Sequence, residues 1–492
     1  MSESREIPPI PERPDARDRP RIGVDEWVAQ VEDRRADERG LGGALRRGWR
    51  STPSGLQFLA VVAIAATLPL YLSGGDLFSY GIFTLLYAVL ALGLNIVVGF
   101  AGLLDLGYIA FYGFGAYFYS LLASDHYGIH WQAEAAIPVV VLGGALLGLV
   151  LGIPSRRLLG DYLAIVTLFF GQAFVVFVNS ANPDVAGKGL TGGPNGLPDV
   201  DPLNFFGYKL TTKNHYFYFL LGSFIVIVAA FHFLNHSRTG RALRALREDP
   251  LAAETIAVPV NRLKLMAFSF GAATAAFCGC VFAALQTGSF PGNFDVSLLI
   301  TIYAVVILGG IGSIAGVVIG AIVINVTFEF LSPANDHPEL KRWLFYATIL
   351  LLLTKLPWRR AAIVLAATVA VGFAVHEIVE AVAPSWAAGS PIDAGSLGDA
   401  IRSWVIIPVG HGQFAQFAYV ALIAAILILT RLRGWWRTLA LPPTLYLVAI
   451  VWENVLVEQP SVTRLILFGV LLIVLMNARP QGLLGTPRVE IV

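Results

Sequence analysis

The chain has 492 residues, 56% of them hydrophobic and only 14% charged, with a net charge of +1 and a mean hydropathy of +0.69. That composition excludes an ordinary soluble multidomain protein and points to an all-α, polytopic integral membrane helix bundle. The charges nearly cancel and sit at the ends of apolar segments, so there is no electrostatic footprint for nucleic acid.

Residues 1–50 form a polar tail. They hold eleven acidic and eleven basic residues, with prolines at 8, 9, 11, 14 and 20. The start lacks the apolar core of a signal peptide and its composition predicts a partly disordered segment. From Val24 to Trp49, Trp27, Val28 and Val31 together with Arg46, Arg47 and Arg50 predict an interfacial helix near the membrane.

At about 20 residues per crossing, apolar runs predict fourteen spans. They fall near 56–73, 80–98, 106–123, 136–154, 161–180, 215–234, 265–286, 296–309, 313–331, 343–357, 361–383, 413–430, 438–457 and 464–478. With the arginine-rich tail inside, the positive-inside rule puts Arg156 and Arg157, the island Arg238–Lys264, Lys355 with Arg359 and Arg360, Arg431–Arg437, and Arg479 with Arg488 in the cytoplasm, and with them both termini.

The division at 309–313 follows from length. As one helix, Ser297–Leu331 would extend about 50 Å at 1.5 Å per residue, against a hydrocarbon core of about 30 Å. Gly309-Gly310-Ile311-Gly312-Ser313 supplies residues that accept a tight turn, so two short helices are expected there, in a bundle with broken or re-entrant elements. Ala315, Gly316 and Gly320 would let these helices approach a neighbour closely.

The island between the sixth and seventh spans, RTGRALRALREDPLAAETIAVPVNRLK, places Arg238, Arg241, Arg244 and Arg247 at every third position, a basic stripe along a helix flank. Asp249 offers an N-cap and Pro250 a first helical position for a second short helix through Glu254. The same arginines also satisfy the positive-inside rule, as any cytoplasmic loop would.

Other polar residues carry less chemistry. His376, Glu377 and Glu380 form H-E-x-x-E, without the second histidine of a zinc-protease motif. Cys278 and Cys280 project to different sides of a helix and are expected to be small packing residues. His232 and Glu453 lie near span ends and are expected to reach the interface or a neighbouring helix. Gly187-Lys188-Gly189 lacks the spacing and hydroxyl residue of a phosphate loop. No metal, cofactor or nucleotide chemistry is therefore expected of this chain. Asp161 is expected to cap the helix it begins, and Asp105 to occupy the turn between spans two and three. The loop Gly189–Gly196 is expected either to cap a helix end or to act at an outer gate.

Six motifs occur in order: NIVVGFAGLLDLGYIAFYGFGAY (95–117), GDYLAIVTLFFG (160–171), LTGGPNGL (190–197), GRALRALREDPLAA (240–253), VVILGGIGSIAG (305–316) and RPQGLLG (479–485). Together they resemble the LivM-like permease subunit of bacterial branched-chain amino acid ABC importers, over roughly residues 80–332 and again at 460–485. The resemblance implies a multi-pass permease of the bacterial cytoplasmic membrane. Its partners would be a LivH-like second permease, two cytoplasmic ATPases that hydrolyse the ATP, and an extracytoplasmic binding protein.

The resemblance further implies an ATPase-coupling set of Gly240, Arg241, Arg244, Arg247, Glu248, Asp249, Pro250 and Ala253, with Arg244 at a position where the family varies. Pore and gate candidates from the other motifs are Asn95, Gly99, Gly102, Asp105, Gly107, Asp161, Tyr162, Gln172, Thr191, Gly192, Gly193, Asn195, Gly196, Gly309, Gly310 and Gly312. Gln172 stands where many relatives carry Glu. The domain plan is a tail (1–50), a permease core (51–332) with a coupling region (235–264), inserted helices with an outer loop (333–463), and a terminal core helix and tail (464–492). Relatives carry branched-chain or other amino acids, or urea and short amides. A self-sufficient ion-coupled carrier, or an intramembrane enzyme around His376, is the contrasting class. It is disfavoured because the core motifs are glycine-rich and uncharged apart from Asp105 and Asp161.

Overall fold

A computed structural model describes residues 54–155, 160–180, 183–185, 187–330, 338–353, 357–389, 401–409, 412–432, 435–456, 469 and 482–484. The expected polar tail and interfacial helix, Arg156 and Arg157, Lys355, and all but Gly469 of the last expected span lie outside these residues. Helix α1 (Ser54–Tyr71) belongs to a unit of its own; it is uncharged, with Pro69 in its last turn.

The second unit opens with α2 (Gly74–Phe100), capped at its start by the Ser73 hydroxyl, which accepts the Asp76 N–H at 3.2 Å. Two π-turn segments, Leu77–Ile82 and Ile96–Phe100, interrupt α2. Such widened turns disturb the backbone ladder and let outside groups reach its carbonyls. At the first, Asn325 donates its amide to the Ser79 carbonyl and the Thr84 hydroxyl, both at 2.8 Å. The neutral stretches LFSYGI and IVVGF gave no warning of either interruption, because a π-turn has no local sequence signature.

The chain continues through α3 (Tyr108–Leu122), α4 (Ala133–Ser155), α5 (Asp161–Ser180) and α6 (Lys213–His236), then two short helices, α7 (Arg238–Glu248) and α8 (Pro250–Thr255). Helix α9 (Val260–Gln286) is the centre of the bundle. Its small residues Ala272, Ala275, Ala276 and Gly279 are buried, and it packs most extensively on α3 and α4. Gly144 and Gly148 of α4 leave no room for a side chain; a Cβ at Gly148 would lie 2.6 Å from the Ala272 Cβ. Small residues at four-residue spacing let these backbones approach, which is how helices gain packing where the solvent is as apolar as they are. Cys278 and Cys280 are both free and buried in α9, as packing residues.

Helices α10 (Val296–Gly309) and α11 (Ile314–Phe330) form the expected short pair. Gly310 and Gly312 have φ of 119° and 86°, backbone settings that an L side chain resists, and they reverse the chain at the predicted break. Gly309, Gly316 and Gly320 line the contact between the two helices.

Helices α12 (Pro338–Leu353), α13 (Trp358–Val382), α14 (Gly412–Arg431) and α15 (Trp435–Val451, running on into a π-turn at Trp452–Leu456) follow. Helix α15 packs on both α13 and α14 around Ile401, Val405, Ile406, Tyr446, Ala449 and Ile450. The Trp404 indole fills the space that Gly372 leaves, donating to the Val369 carbonyl at 3.1 Å. Glu453 does reach a neighbouring helix: it is buried and pairs with Arg342 of α12 at 3.2 Å, while Phe345 stacks on Trp452 at 4.0 Å. His232 is exposed, its ring 4.3 Å from that of His236.

Thirteen of the fourteen expected apolar segments coincide with helices. Among the described residues, seven helices are long and apolar enough to cross a membrane, and three apolar helices are shorter. Leu142, Leu146 and Val150 on α4 and Val226 and Phe233 on α6 are exposed, the inside-out surface that a bilayer solvates. The fold is an all-helical, polytopic membrane bundle.

Candidate coupling site

Ser237 ends α6 and caps α7, its hydroxyl accepting the Gly240 N–H at 3.1 Å. Leu243 and Leu246 are buried beneath α7, and Gly240 meets the Leu234 carbonyl with no space for a Cβ. The arginine stripe turns back on the protein. Arg241 donates to the His236 carbonyl at 3.1 Å and Arg244 to the Asn235 carbonyl at 3.3 Å. Both guanidinium groups therefore satisfy the terminal carbonyls of α6, where a helix dipole favours positive charge.

Asp249 caps α8 as expected, its carboxylate accepting the N–H groups of Leu251 and Ala252 at 2.8 and 3.1 Å, with Pro250 at the first position. Ala253 is buried, while Glu248 is exposed. Leu251 and Ile256 are 75% and 70% exposed, an apolar pair on an otherwise polar face that sequence reasoning missed. The signal was present: in so short a helix, flanked by charge, an isolated Leu and Ile have little core to enter.

Arg247 points the other way. It donates Nη1 to the Gly99 carbonyl at 2.6 Å, in the second π-turn of α2. Its side chain lies over Gly102, where a Cβ would be 2.9 Å from the Arg247 Cγ, and over Gly312, where a Cβ would be 2.8 Å from Nη1. Asn95, buried in α2, accepts the Gly312 N–H through Oδ1 at 2.8 Å. Asn95, Gly99, Gly102, Gly312 and Arg247 thus converge from three separate motifs. The breaks in α2 and between α10 and α11 are tied together and to α7.

Asp105 lies beside this node, in the non-helical connection between α2 and α3, fully buried. Oδ1 accepts the Gly107 N–H at 3.0 Å, Oδ2 has no hydrogen-bond partner among the described residues, and the Asp105 carbonyl accepts the Tyr303 hydroxyl at 2.6 Å. Burial pushes this carboxyl up to about 7, the Gly107 hydrogen bond only partly opposing it. Leu106 N–H donates to the Thr167 hydroxyl of α5 at 2.9 Å, and Gly107 packs on the Thr167 carbonyl.

The remaining candidates lie elsewhere. Thr191 donates its hydroxyl to the Val178 carbonyl at 2.8 Å, so the glycine-rich loop caps the far end of α5. Gly192, Gly193 and Gly196 all have positive φ, Gly196 packs on the Ser289 carbonyl, and Asn195 is exposed. Tyr162 and Gln172 lie on the exposed face of α5. The Asp161 side chain lies outside the described residues. Among the described residues, no three His, Cys, Asp or Glu side chains gather as a metal site, and His376 and Glu380 stand 3.9 Å apart.

An apolar helix bundle broken at glycines and π-turns, with a basic helix and its short companion latched to those breaks, defines a polytopic permease. Residues 77–353 match the family described as branched-chain amino acid transport system / permease component, and the chain belongs to that family. It is 34% identical over 309 residues to the high-affinity branched-chain amino acid transport system permease protein LivM of Salmonella typhimurium, covering 58% of this chain and 70% of that one. The Escherichia coli K12 protein of the same name gives the same figures. The LivH permease protein of Salmonella typhimurium is 29% identical over 287 residues, covering 55% of this chain and 89% of its own. No solved structure matches. Helices α13 to α15 lie beyond the matched stretch.

Proposed function

We propose that this chain is the LivM-like permease subunit of an ATP-driven importer of branched-chain amino acids in a bacterial cytoplasmic membrane, with α7 and α8 on the cytoplasmic side. A LivH-like permease would complete the pathway, two ATPases would drive it, and an extracytoplasmic binding protein would deliver substrate. The substrate class comes from the relatives, which are named for branched-chain amino acid transport.

The observation that carries the mechanism is the Arg247–Gly99 bond. Glu248 of α7, Leu251 of α8 and Ile256 just after it offer an exposed surface for a soluble partner. Movement of that surface pulls, through Arg247, on the π-turn of α2 and the glycine turn between α10 and α11. These are the places where helices can rearrange without breaking a regular ladder, so a small displacement at the docking surface can reset the packing of longer helices. Arg241 and Arg244 keep α7 fixed to the end of α6, so α6 and α7 move as one lever. On α5, Gln172 is an exposed amide near the middle of a 20-residue apolar helix, a group that lipid solvates poorly. That face suits the second permease or the pathway between the two.

The test is reconstitution of the full complex with its ATPases and binding protein. It should import leucine, isoleucine or valine in an ATP-dependent manner, and import should fall with Leu251→Asp and Ile256→Asp while the permease pair still assembles. Normal import by these two variants would remove the docking role of α8.

A further inference from the structure

The motif RPQGLLG near the end of the chain has no part in the mechanism above, yet three of its residues touch the same node. The N–H groups of Leu483 and Leu484 donate to the carbonyls of Leu308 and Gly309, at 2.8 and 3.0 Å. Those are the last carbonyls of α10, which no residue further along that helix can satisfy. Gly482 packs face to face with Gly310: a Cβ at Gly482 would lie 2.6 Å from the Gly310 Cα and 2.7 Å from the Ile307 carbonyl oxygen. Both glycines have positive φ, 79° and 119°. The contact is backbone on backbone, so it requires glycine on each side, whatever the neighbouring side chains are.

The turn Gly310–Ser313 is therefore held from three directions. Asn95 of α2 holds the Gly312 N–H, Arg247 of α7 covers Gly312, and the tail occupies the end of α10. A turn with two positive-φ glycines is soft by itself. Placed between Arg247 and the α10–α11 pair, a soft turn would absorb a displacement by local rotation and pass little of it on. We infer that Gly482–Leu484 is a clasp, a positioning segment that stiffens this turn so that movement of α7 reaches α10 and α11. The inference rests on the coupling role of Arg247 proposed above. It assigns to the tail a part in the stoichiometry of transport beyond its part in stability.

The reconstituted full complex decides this with two measurements, amide hydrogen exchange at Leu483 and Leu484 and ATP hydrolysed per substrate imported. In the parent both amides should be protected. Leu483→Pro deletes one donor and Gly482→Val fills the space against Gly310; both should raise ATP consumed per substrate by about tenfold, the scale of a typical coupling free energy. Leu484→Ala keeps its N–H and should match the parent. Gly482→Ala, the milder change, should lie between and serves if the other two do not assemble.

Unprotected amides in the parent would overturn the clasp. So would parent stoichiometry in whatever Leu483→Pro or Gly482→Ala complex assembles, since the contact would then be merely structural. Arg247→Ala separates the two ideas. If it uncouples while the tail variants do not, the clasp alone fails; if it stays coupled, the coupling role of Arg247 fails.

Discussion

Arg247 and Gly99 stand 148 positions apart in the chain and meet through a hydrogen bond of 2.6 Å. The donor is permanently charged and the acceptor is a carbonyl in a π-turn, so the bond belongs to the stronger class, worth about 1.5–3 kcal/mol. It joins α7 directly to the π-turn of α2.

Arg247→Ala should therefore leave a Gly99 carbonyl without its partner and a gap over Gly102 and Gly312. We expect assembly and ATP hydrolysis to persist while uptake per ATP falls by about tenfold. Arg247→Lys should recover part of the loss, because one ammonium can reach the carbonyl but cannot also spread over both glycines. Uptake and phosphate release measured on the same vesicles check this, and equal ratios in parent and Arg247→Ala vesicles would contradict it.

At the turn, Gly310→Val and Gly312→Val place a β-branched residue at positive φ, a strain of about 1–3 kcal/mol before any clash is counted. The neighbours at Gly312 are the Arg247 guanidinium and the Gly99 carbonyl, so the strain falls on the node itself. Uptake normalised to assembled complex should drop at least about tenfold for both. Gly222→Val in α6, where among the described residues no neighbouring element comes within 4 Å of the new Cβ, should be tolerated. Similar activity in all three would show that the turn is an ordinary flexible loop.

A pH dependence is expected at the opposite end of the bundle. His130 Nδ1 lies 2.5 Å from Asp201 Oδ2 and its Nε2 lies 3.3 Å from Asp125 Oδ1. The Asp201 hydrogen bond raises the imidazole pKa above its ordinary 6.5, with Asp125 assisting and Lys209 opposing. Because the folded value is the raised one, the stabilisation is complete below about 6.5 and is lost as the pH climbs through the folded pKa. Thermal melts of parent and His130→Gln should differ most at acid pH and converge at alkaline pH, by a small and salt-sensitive amount. A difference that grows with pH would reverse the assignment.

Orientation can be tested with single cysteines, since Cys278 and Cys280 are buried and should stay silent. Phe206→Cys, at an 88% exposed site in the loop before α6, should react with an impermeant thiol reagent added to intact cells. Leu251→Cys on α8 should react only after the membrane is opened. The reverse pattern would place α7 and α8 outside and exclude their contact with ATPases.

The parts of this protein that could be read directly from the residues are those decided within one turn or one span. Asp249 and Pro250 start α8 because a cap and a fixed φ act over three residues. The break at Gly310 followed from arithmetic, a charge-free run too long for a bilayer with glycines at its middle. The period of three in the arginines showed a stripe but not its target. Arg241 and Arg244 turn to the carbonyls of α6, whereas Arg247 turns to a carbonyl in another motif.

By itself the sequence determined that the chain is an apolar helical bundle with a basic helix and a capped short helix between two spans, because hydropathy, capping and turn chemistry are local. Only the tertiary structure decided that Arg247 enters the bundle, that Asn95 holds Gly312, that Glu453 pairs with Arg342, and that Gly482 seats on Gly310. Each of these joins residues from distant parts of the chain, and a backbone carbonyl offers the same acceptor in every residue. Which one is left free, and which guanidinium or N–H can reach it, is settled by how the helices pack.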